Sequence, residues 1–292
     1  MTLNNKCKNI LSFDVEGGYQ GFIRRNISGW QNIVSNEEKN INLILELLAH
    51  TNSKATFFVL GSLVEKNPNI VKMIYENGHE IASHGYSHIV TPDLKPEEFR
   101  KDIRKSKNIL QDIIGEEIIG FRAPKWSINE ETIWALKVLA EEGFKYDSSV
   151  FPSSLHEYGN SNYKPYPQKI VFDGLSIVEY PAQVLLIGGL RIPAAGGFFF
   201  RALPYIMNNY ALKKTNRWYD YGMVYLHPFE FEINPPRIKT NLTFMIVRYY
   251  HLDKTKKYLT FLLNNFSFSD VRSILVQKNW SFDKGCASLN NA

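Results

Sequence analysis

The fold is set by a short stretch near the start of the chain, Ile10-Leu11-Ser12-Phe13-Asp14-Val15-Glu16-Gly17-Gly18. Its apolar part is typical of a buried strand, and two carboxylates, Asp14 and Glu16, follow at the point where that strand should end. If the strand continues, both side chains point to one side of it. The glycines let the backbone approach a bound molecule closely. In barrel enzymes, the active-site groups stand at such carboxyl ends of strands.

Short apolar runs alternate with amphipathic stretches through the first half of the chain, which is the pattern of β/α units around a parallel sheet or barrel. We predict strands over residues 10–14, 55–60, 79–82, 118–121 and 144–146, and helices over residues 36–49, 68–76, 96–114 and 130–141. Beyond residue 150 we predict a loop over 151–168, strands over 177–180 and 223–226, and helices near 203–214 and over 244–266. The sequence therefore predicts an α/β protein.

Composition bounds the size and class of the protein. The chain has 292 residues, of which 44% are hydrophobic and 22% charged, with a net charge of +5. These values exclude the disordered and collagen-like classes. The charge is too small to indicate nucleic acid, and Cys7 and Cys286 form no disulfide framework.

We expect one domain over residues 1–292, with a metal-site half at about 10–150 and barrel completion at about 151–292, in a cytoplasmic protein.

Two further motifs follow predicted strands. Ser83-His84-Gly85-Tyr86-Ser87-His88 places two imidazoles four residues apart, so one helical turn would put both rings on one face, where they could share a metal ion. Tyr225-Leu226-His227-Pro228 places a single histidine at a strand end. Two imidazoles and a carboxylate leave coordination positions open for water and substrate, which is typical of a catalytic rather than a structural metal site.

These motifs, in this order, resemble those of the polysaccharide deacetylases, the NodB-homology family of carbohydrate esterases. The resemblance includes Phe121-Arg122-Ala123-Pro124 as well as the three motifs given above. Residues 196–205 and 225–237 are similar to the C-terminal region of the exosortase-associated branch, and residues 262–268 resemble its closing segment. The resemblance implies a distorted (β/α) barrel of the NodB-homology type, with a C-terminal extension packed onto it.

The resemblance also implies a metal site and a base. Glu16, His84 and His88 would bind a divalent metal, for which we expect zinc, with cobalt, nickel, iron and manganese as alternatives. Asp14 would be the general base, and Arg122 would hold it in position.

The remaining roles follow from the same resemblance. The backbone N–H of Lys125, just past Pro124, would stabilise the developing oxyanion. Apart from the resemblance, Trp126 follows the arginine motif directly and could stack on a sugar ring, since aromatic faces suit apolar C–H patches. His227 would donate a proton to the departing sugar amine.

The sequence departs from the usual family pattern in two places. Val15 separates Asp14 from Glu16, where most members have adjacent aspartates, so an exchange of the base and ligand roles stays open. The aspartate that supports the acid histidine in many members has no clear match. Asp147 and Glu179 are the two candidates for that support.

Together, the motifs predict hydrolytic removal of an N-acetyl group from a sugar of a surface polysaccharide or its intracellular precursor. Two alternatives stay open: the same metal site could act on a formamido sugar or a cyclic amide, or the chain could be a catalytically silent glycan-binding module. The expected partner is an N-acetylated glycan or a lipid-linked sugar, and no nucleic acid.

The charge distribution offers one more hypothesis. Residues 201–292 carry a net charge of +7. This basic third of the chain could contact an anionic membrane at the inner face of the cell membrane, through Arg248, Lys254, Lys256 and Lys257. The alternative is a solvated helix face.

Overall fold

A computed structural model describes residues 8–25, 27–29 and 36–280 of the protein. Cys7 and Cys286, which we expect to form no disulfide framework, lie outside these ranges. The main feature is a nine-stranded sheet that takes strands from both halves of the chain, beside a separate two-stranded hairpin. The assignment of residues 1–292 to a single domain stays a prediction.

The large sheet is mostly parallel and curls into a half-barrel. In chain order the strands are β1 (Lys8–Val15), β2 (Thr56–Val59), β3 (Glu80–Ser83), β4 (Gly120–Phe121), β5 (Tyr146–Asp147), β6 (Gln168–Phe172), β7 (Leu175–Glu179), β8 (Val184–Ile187), β9 (Leu190–Pro193), β10 (Met223–Leu226) and β11 (Ser267–Ser269). The large sheet has the order β10-β1-β2-β3-β4-β5-β7-β6, and β11 also pairs with β1. β6 is antiparallel to β7, and β8 pairs with β9 as the hairpin. The predicted distorted (β/α) barrel is confirmed.

β1 lies inside the sheet because it is apolar on both faces. Ile10, Leu11, Phe13 and Val15 are fully buried, as expected for a parallel strand covered on both sides. β1 pairs in parallel with β2, β10 and β11. Its carboxyl end therefore opens at the same edge of the sheet as the ends of β2 and β10.

The helices cover this sheet. They are α1 (Gln20–Arg24), α2 (Glu37–His50), α3 (Gly61–Val64), α4 (Asn69–Glu76), α5 (Pro96–Ile114), α6 (Trp134–Glu141), α7 (Gly197–Ala202), α8 (Tyr205–Tyr219), α9 (Leu242–Tyr249), α10 (Leu252–Asn265) and α11 (Val271–Gln277). α5 has the predicted ends, and Gly115, with a φ of 72°, closes it in the left-handed conformation that suits glycine. Within the described ranges, no helix combines the length and the apolar character needed to cross a bilayer.

The C-terminal part differs most from prediction. The helix expected over residues 244–266 is two helices, α9 and α10, because the chain turns at His251, whose φ of 51° is left-handed. The sequence does not predict the β8–β9 hairpin, α7, β11 or α11. These elements have three to seven residues each, too few to show a clear period.

Candidate metal centre and active-site cleft

Three side chains at the open edge of the sheet form a cluster. Glu16 follows β1, His84 follows β3, and His88 stands four residues further on. Glu16 Oε2 lies 2.5 Å from His88 Nε2 and 3.4 Å from His84 Nε2. One donor atom of each residue lies within 4.8 Å of the others. The structure thus brings together the three residues that the sequence predicts as metal ligands.

The hydrogen bonding of His84 leaves one ring nitrogen ready for a ligand. Its Nδ1 lies 2.9 Å from the carbonyl oxygen of Arg122, and a carbonyl can only accept, so Nδ1 carries the proton. Nε2 is then unprotonated, and among the described residues it is a buried atom without a hydrogen-bond partner. Proteins orient metal-binding imidazoles through such a second hydrogen bond. These residues therefore fit a divalent metal ion.

Neighbouring histidines also keep Glu16 ionised, as a metal ligand must be. Burial opposes ionisation of Glu16, but the charge and hydrogen bond of His88 and the charge of His227 outweigh it and hold the pKa of Glu16 well below its ordinary value. Gly18 N–H donates to the buried Glu37 carboxylate at 2.7 Å, which fixes the loop that carries Glu16. This contact of Glu37 cannot be predicted from the sequence, because only the fold brings α2 to this loop.

Asp14 lies beside the cluster and is held by Arg122. Arg122 Nη1 donates to Asp14 Oδ1 at 2.6 Å and to Ser12 Oγ at 3.0 Å. The other N–H groups of the guanidinium bond the carbonyl and hydroxyl oxygens of Ser148 at 3.0 and 2.9 Å. Both members of the ion pair are buried. The two carboxylates thus have different partners: Glu16 contacts the two histidines, and Asp14 contacts Arg122.

His227 approaches the same centre from the end of β10. Its Nε2 lies 3.9 Å from Asp14 Oδ2 and 4.0 Å from Glu16 Oε1, and its Nδ1 lies 2.8 Å from Glu230 Oε1. Burial lowers the pKa of His227. The hydrogen bond with Glu230 and the charges of Glu16, Glu230 and Asp14 outweigh burial and raise this pKa to about 9. Without a bound cation, His227 is therefore protonated at neutral pH.

The carboxylate that supports His227 is Glu230, which is not among the candidates predicted from the sequence. It also accepts the His227 backbone N–H at 3.1 Å, while Arg201 Nε donates to its second oxygen at 2.7 Å. Glu230 and Arg201 are both buried. A carboxylate three residues after His227, at the start of a 3₁₀ turn, has the spacing of a capping box. That spacing is the sequence signal that could have found it.

Asp147 and Glu179, the two carboxylates that the sequence offers as support for His227, lie elsewhere. They are fully buried neighbours on β5 and β7. Glu179 Oε1 accepts the backbone N–H groups of Ser149 and Val150 at 3.2 and 2.9 Å. The prediction is wrong because Glu230 lies at Nδ1 of His227, whereas Asp147 and Glu179 stand opposite each other on β5 and β7.

The loop after Arg122 lines the cleft. Pro124–Trp126 forms a 3₁₀ turn in which Lys125 and Trp126 have left-handed φ values of 56° and 53°, and such strained residues cluster at functional sites. Trp126 is only 3% exposed. Its ring packs 4.1 Å from the Arg122 guanidinium and 4.9 Å from the Tyr225 ring. Protein groups thus cover this ring, so the structure does not support its predicted stacking on a sugar.

A cleft of about 730 Å³ opens over the cluster. Phe198 and Phe199 of α7 and Val247 and Arg248 of α9 form part of its wall. Arg248 therefore does not belong to an exposed basic surface, since its guanidinium lies 3.7 Å from the Phe229 ring. An apolar cleft with a few converging polar groups is the usual form of a small-molecule site. Both halves of the chain contribute to it.

Two family models match adjacent parts of the chain. Residues 29–146 match the family described as polysaccharide deacetylase, and residues 148–276 match a domain of unknown function, DUF3473. Arg201, His227 and Glu230 lie in the second range.

Curated relatives match parts of the chain. The peptidoglycan deacetylase-like protein FGM2 of Gibberella zeae is 29% identical over 194 residues, 59% of this chain and 56% of that protein. A peptidoglycan-N-acetylglucosamine deacetylase of Bacillus cereus is 42% identical over 93 residues, 32% of this chain and 34% of that protein. The chain thus spans about half or less of the length of these relatives.

A solved structure supports the fold. A candidate polysaccharide deacetylase from Mycobacterium smegmatis has a TM-score of 0.63 and 18% identity, covering 100% of this chain and 98% of that one. At this identity the likeness shows the fold alone, and the exosortase-associated branch stays a prediction. The motif order, the fold and the match over residues 29–146 support a polysaccharide deacetylase of the NodB type.

Proposed function

We propose that the protein is a metal-dependent hydrolase that removes the N-acetyl group from an N-acetylated sugar. The observation that carries this proposal is one cleft lined by three metal-ligand candidates and by two groups suited to proton transfer, Asp14 and His227. His227 Nε2 lies about as close to the cluster, 4.0 Å from Glu16 Oε1, as to Asp14 Oδ2, at 3.9 Å.

Glu16, His84 and His88 would hold the metal through one carboxylate oxygen and two imidazole nitrogens. A bound divalent cation supplies Lewis acidity and lowers the pKa of water from about 15.7 toward about 7. We expect zinc, with cobalt, nickel, iron and manganese as alternatives, because this set of ligands accepts several ions. The buried, unpartnered Nε2 of His84 supports this assignment.

Asp14 and His227 would move the two protons of the reaction. Asp14, held by Arg122, would accept a proton from water as the water oxygen bonds to the acetamide carbonyl carbon. The backbone N–H of Lys125, after Pro124, would stabilise the charge on the carbonyl oxygen. His227 would then protonate the sugar nitrogen as the C–N bond breaks, which releases acetate and a free amine.

The contacts of the two carboxylates support these roles. Glu16 contacts both ligand histidines, whereas Asp14 contacts Arg122 and faces His227. A ligand has to reach the histidines, and a base has to lie beside the acid across the reacting amide. The arrangement favours Glu16 as ligand and Asp14 as base over the reverse.

The names of the relatives support a glycan substrate, since the Bacillus cereus protein is a peptidoglycan-N-acetylglucosamine deacetylase. We infer that this chain acts on a related N-acetylated polymer or on its lipid-linked precursor. The cytoplasmic side of the membrane stays our proposed location, on sequence grounds alone. A formamido sugar, a cyclic amide and a silent glycan-binding module are alternative outcomes of the test below.

The test is acetate release from N-acetylglucosamine oligomers, with and without added Zn²⁺, Co²⁺ or Ni²⁺. His84→Ala should lose both bound metal and acetate release, because it removes a ligand. His50→Ala is the matched control, since His50 is an exposed histidine at the end of α2, and it should retain both. Asp14→Asn should keep the metal and lose at least roughly 10²-fold in turnover.

Each other outcome has a defined meaning. Loss of metal in Asp14→Asn would mean that Asp14 is the metal ligand and Glu16 the base. A metal-free His84→Ala protein with full activity would overturn the mechanism. Oligomer binding without acetate release under every metal would assign a glycan-binding module, and release of formate from a formamido sugar would change the acyl group.

A further inference from the structure

α9 exposes an apolar stripe to solvent. Leu242, Ile246 and Tyr250, which stands just past the helix end, follow at intervals of four residues, and Val247 lies beside them, so the four share one side. Leu242 is 73% exposed, and the other three are exposed by 42–44%. Single exposed apolar residues are normal, but a contiguous group indicates an interaction surface. We call these four residues the α9 stripe.

The opposite side of α9 fixes the helix on the protein. Phe244 is buried, and its ring lies 5.2 Å from the Phe22 ring. Arg248 stacks on Phe229 one turn further along. Asn241 caps the helix, because its side chain accepts the Phe244 N–H at 2.8 Å. The α9 stripe is therefore presented outward by a helix that already has its packed face.

The α9 stripe is continuous with the mouth of the cleft. Val247 belongs to the stripe and also lines the cleft. Phe198 lines the cleft as well, and its ring lies 6.3 Å from that of Tyr250. Leu155, a further lining residue, is 60% exposed. Whatever covers the stripe therefore lies at the entrance through which the substrate passes.

Cations border α9, and the guanidinium of Arg237 lies 5.8 Å from the Tyr249 ring at the end of this helix. Residues 233–252 contain no aspartate or glutamate, and Arg237 and Lys239 are exposed within this range. Arg25 of the α1 end is exposed too, with its guanidinium 4.7 Å from the Phe244 ring. An apolar helix face bordered by lysine and arginine is the pattern of a segment that lies on an anionic bilayer.

We infer that the α9 stripe docks the cleft mouth onto an anionic lipid surface, from which the cleft receives a lipid-carried glycan. This inference rests on the proposed function, because we choose a bilayer as the partner on the ground that a glycan has to enter the cleft. A soluble protein seated on the stripe would cover the entrance beside Val247. A bilayer that carries the glycan presents the substrate there, while its headgroups match the cations and its hydrocarbon matches Leu242 and Ile246.

The docking surface differs from the basic surface expected from sequence. Arg248 lies in the cleft, and Lys254 Nζ lies 3.0 Å from the His251 ring. Lys256 and Lys257 are exposed on α10. These two lysines therefore serve as the internal control for charge alone.

The experiment is co-sedimentation of the full chain with phosphatidylcholine vesicles that contain roughly one-third phosphatidylglycerol, compared with pure phosphatidylcholine. The wild type should bind the anionic vesicles, and Leu242→Gln/Ile246→Gln should bind roughly tenfold more weakly. Leu190→Gln/Val276→Gln is the matched control, because these residues are 64% and 74% exposed on β9 and α11. It should bind like the wild type.

Acetate release from soluble oligomers should not change in Leu242→Gln/Ile246→Gln, because neither residue lines the cleft. Equal vesicle binding by this variant and the wild type would overturn the inference, as would no wild-type binding to either vesicle. If Lys256→Gln/Lys257→Gln lost vesicle binding roughly tenfold and the α9 variant did not, the membrane contact would lie on α10 instead of α9. A dimer in sedimentation velocity that the α9 variant abolishes would assign the stripe to a second copy. Vesicle binding without acetate release would refute only the proposed function.

Discussion

Two groups of buried carboxylates show opposite charge behaviour at the same depth. Glu230, near the cleft, and the Asp147–Glu179 pair, at β5 and β7, are all fully buried. Burial raises the pKa of Glu230, but Arg201 and His227 outweigh it and bring that pKa down to about 2. Among the described residues no cation forms an ion pair with the other two carboxylates, and the charge of Arg122 does not outweigh the burial that raises the pKa of Asp147. Burial and the charge of Asp147 raise the pKa of Glu179 well above its ordinary value.

The difference shows that the partner, and not the depth, decides whether a buried carboxylate is charged. Burial disfavours the charged form in both places. Beside His227, the positive charges of Arg201 and His227 offset the free-energy cost of burying the Glu230 carboxylate. Between β5 and β7, the pair faces its own like charge and relieves it by keeping a proton. Only the first arrangement can hold His227 in its protonated form.

The largest expected effect is on folding, in Glu230→Ala. This change leaves the Arg201 guanidinium buried without its carboxylate, which costs about 3–5 kcal/mol for a broken buried ion pair. Urea denaturation should therefore show a large loss in the free energy of unfolding. Glu179→Gln is the matched control, because it removes a charge that the pair already suppresses, and it should lose less than about 1 kcal/mol. Equal losses in the two variants would contradict the comparison.

A smaller effect is expected in Glu230→Gln, which keeps the size of the side chain and removes its charge. The protonated form of His227 loses an electrostatic partner, so the pKa of His227 should fall from about 9 toward its ordinary value. NMR titration of the His227 ring in the metal-free protein measures this shift directly.

The same variant tests the proposed acid. Because His227 would lose its proton at lower pH, the alkaline limb of the rate profile should move to lower pH. Turnover at about pH 8 should fall roughly tenfold. Glu179→Gln should leave both the titration and the rate profile unchanged. A His227 pKa that stays near 9 in Glu230→Gln would show that Glu16 and Asp14 alone hold the proton.

The sequence was sufficient for the first half of the fold and for bringing together the three candidate metal ligands. The β1 stretch and the alternating helices have long periodic patterns, and α5 begins and ends where predicted. Glu16, His84 and His88 meet because each follows a strand of one parallel sheet. Such strand ends share an edge whatever the details of packing.

The support of His227 could not be assigned in the same way, for a physical reason. Glu230 stands three residues after His227, and this local spacing is the one sequence signal that points to it. That Asp147 and Glu179 face each other instead of His227 depends on the pairing of β5 with β7, which no local pattern encodes. Arg201 reaches Glu230 only because α7 packs beside the turn after β10.

The smallest expected effect is a change in the pH dependence of stability on Asp147→Asn. A carboxyl group whose pKa is raised on folding contributes stability that is present below its unfolded pKa and lost as pH rises through the folded value. The Asp147–Glu179 pair should therefore make the wild type less stable as pH rises above about 5.

Asp147→Asn removes the like charge beside Glu179, but Glu179 stays buried. The loss of stability with rising pH should therefore become smaller without disappearing. The wild type should thus lose more stability than Asp147→Asn between about pH 5 and pH 8. The measurement is the free energy of unfolding from urea titrations between about pH 5 and pH 8. His227 contributes equally to both proteins, so the difference between their curves isolates the pair. Parallel curves would mean that the two carboxyl groups do not share a proton, and that solvent or an unidentified cation relieves their charge.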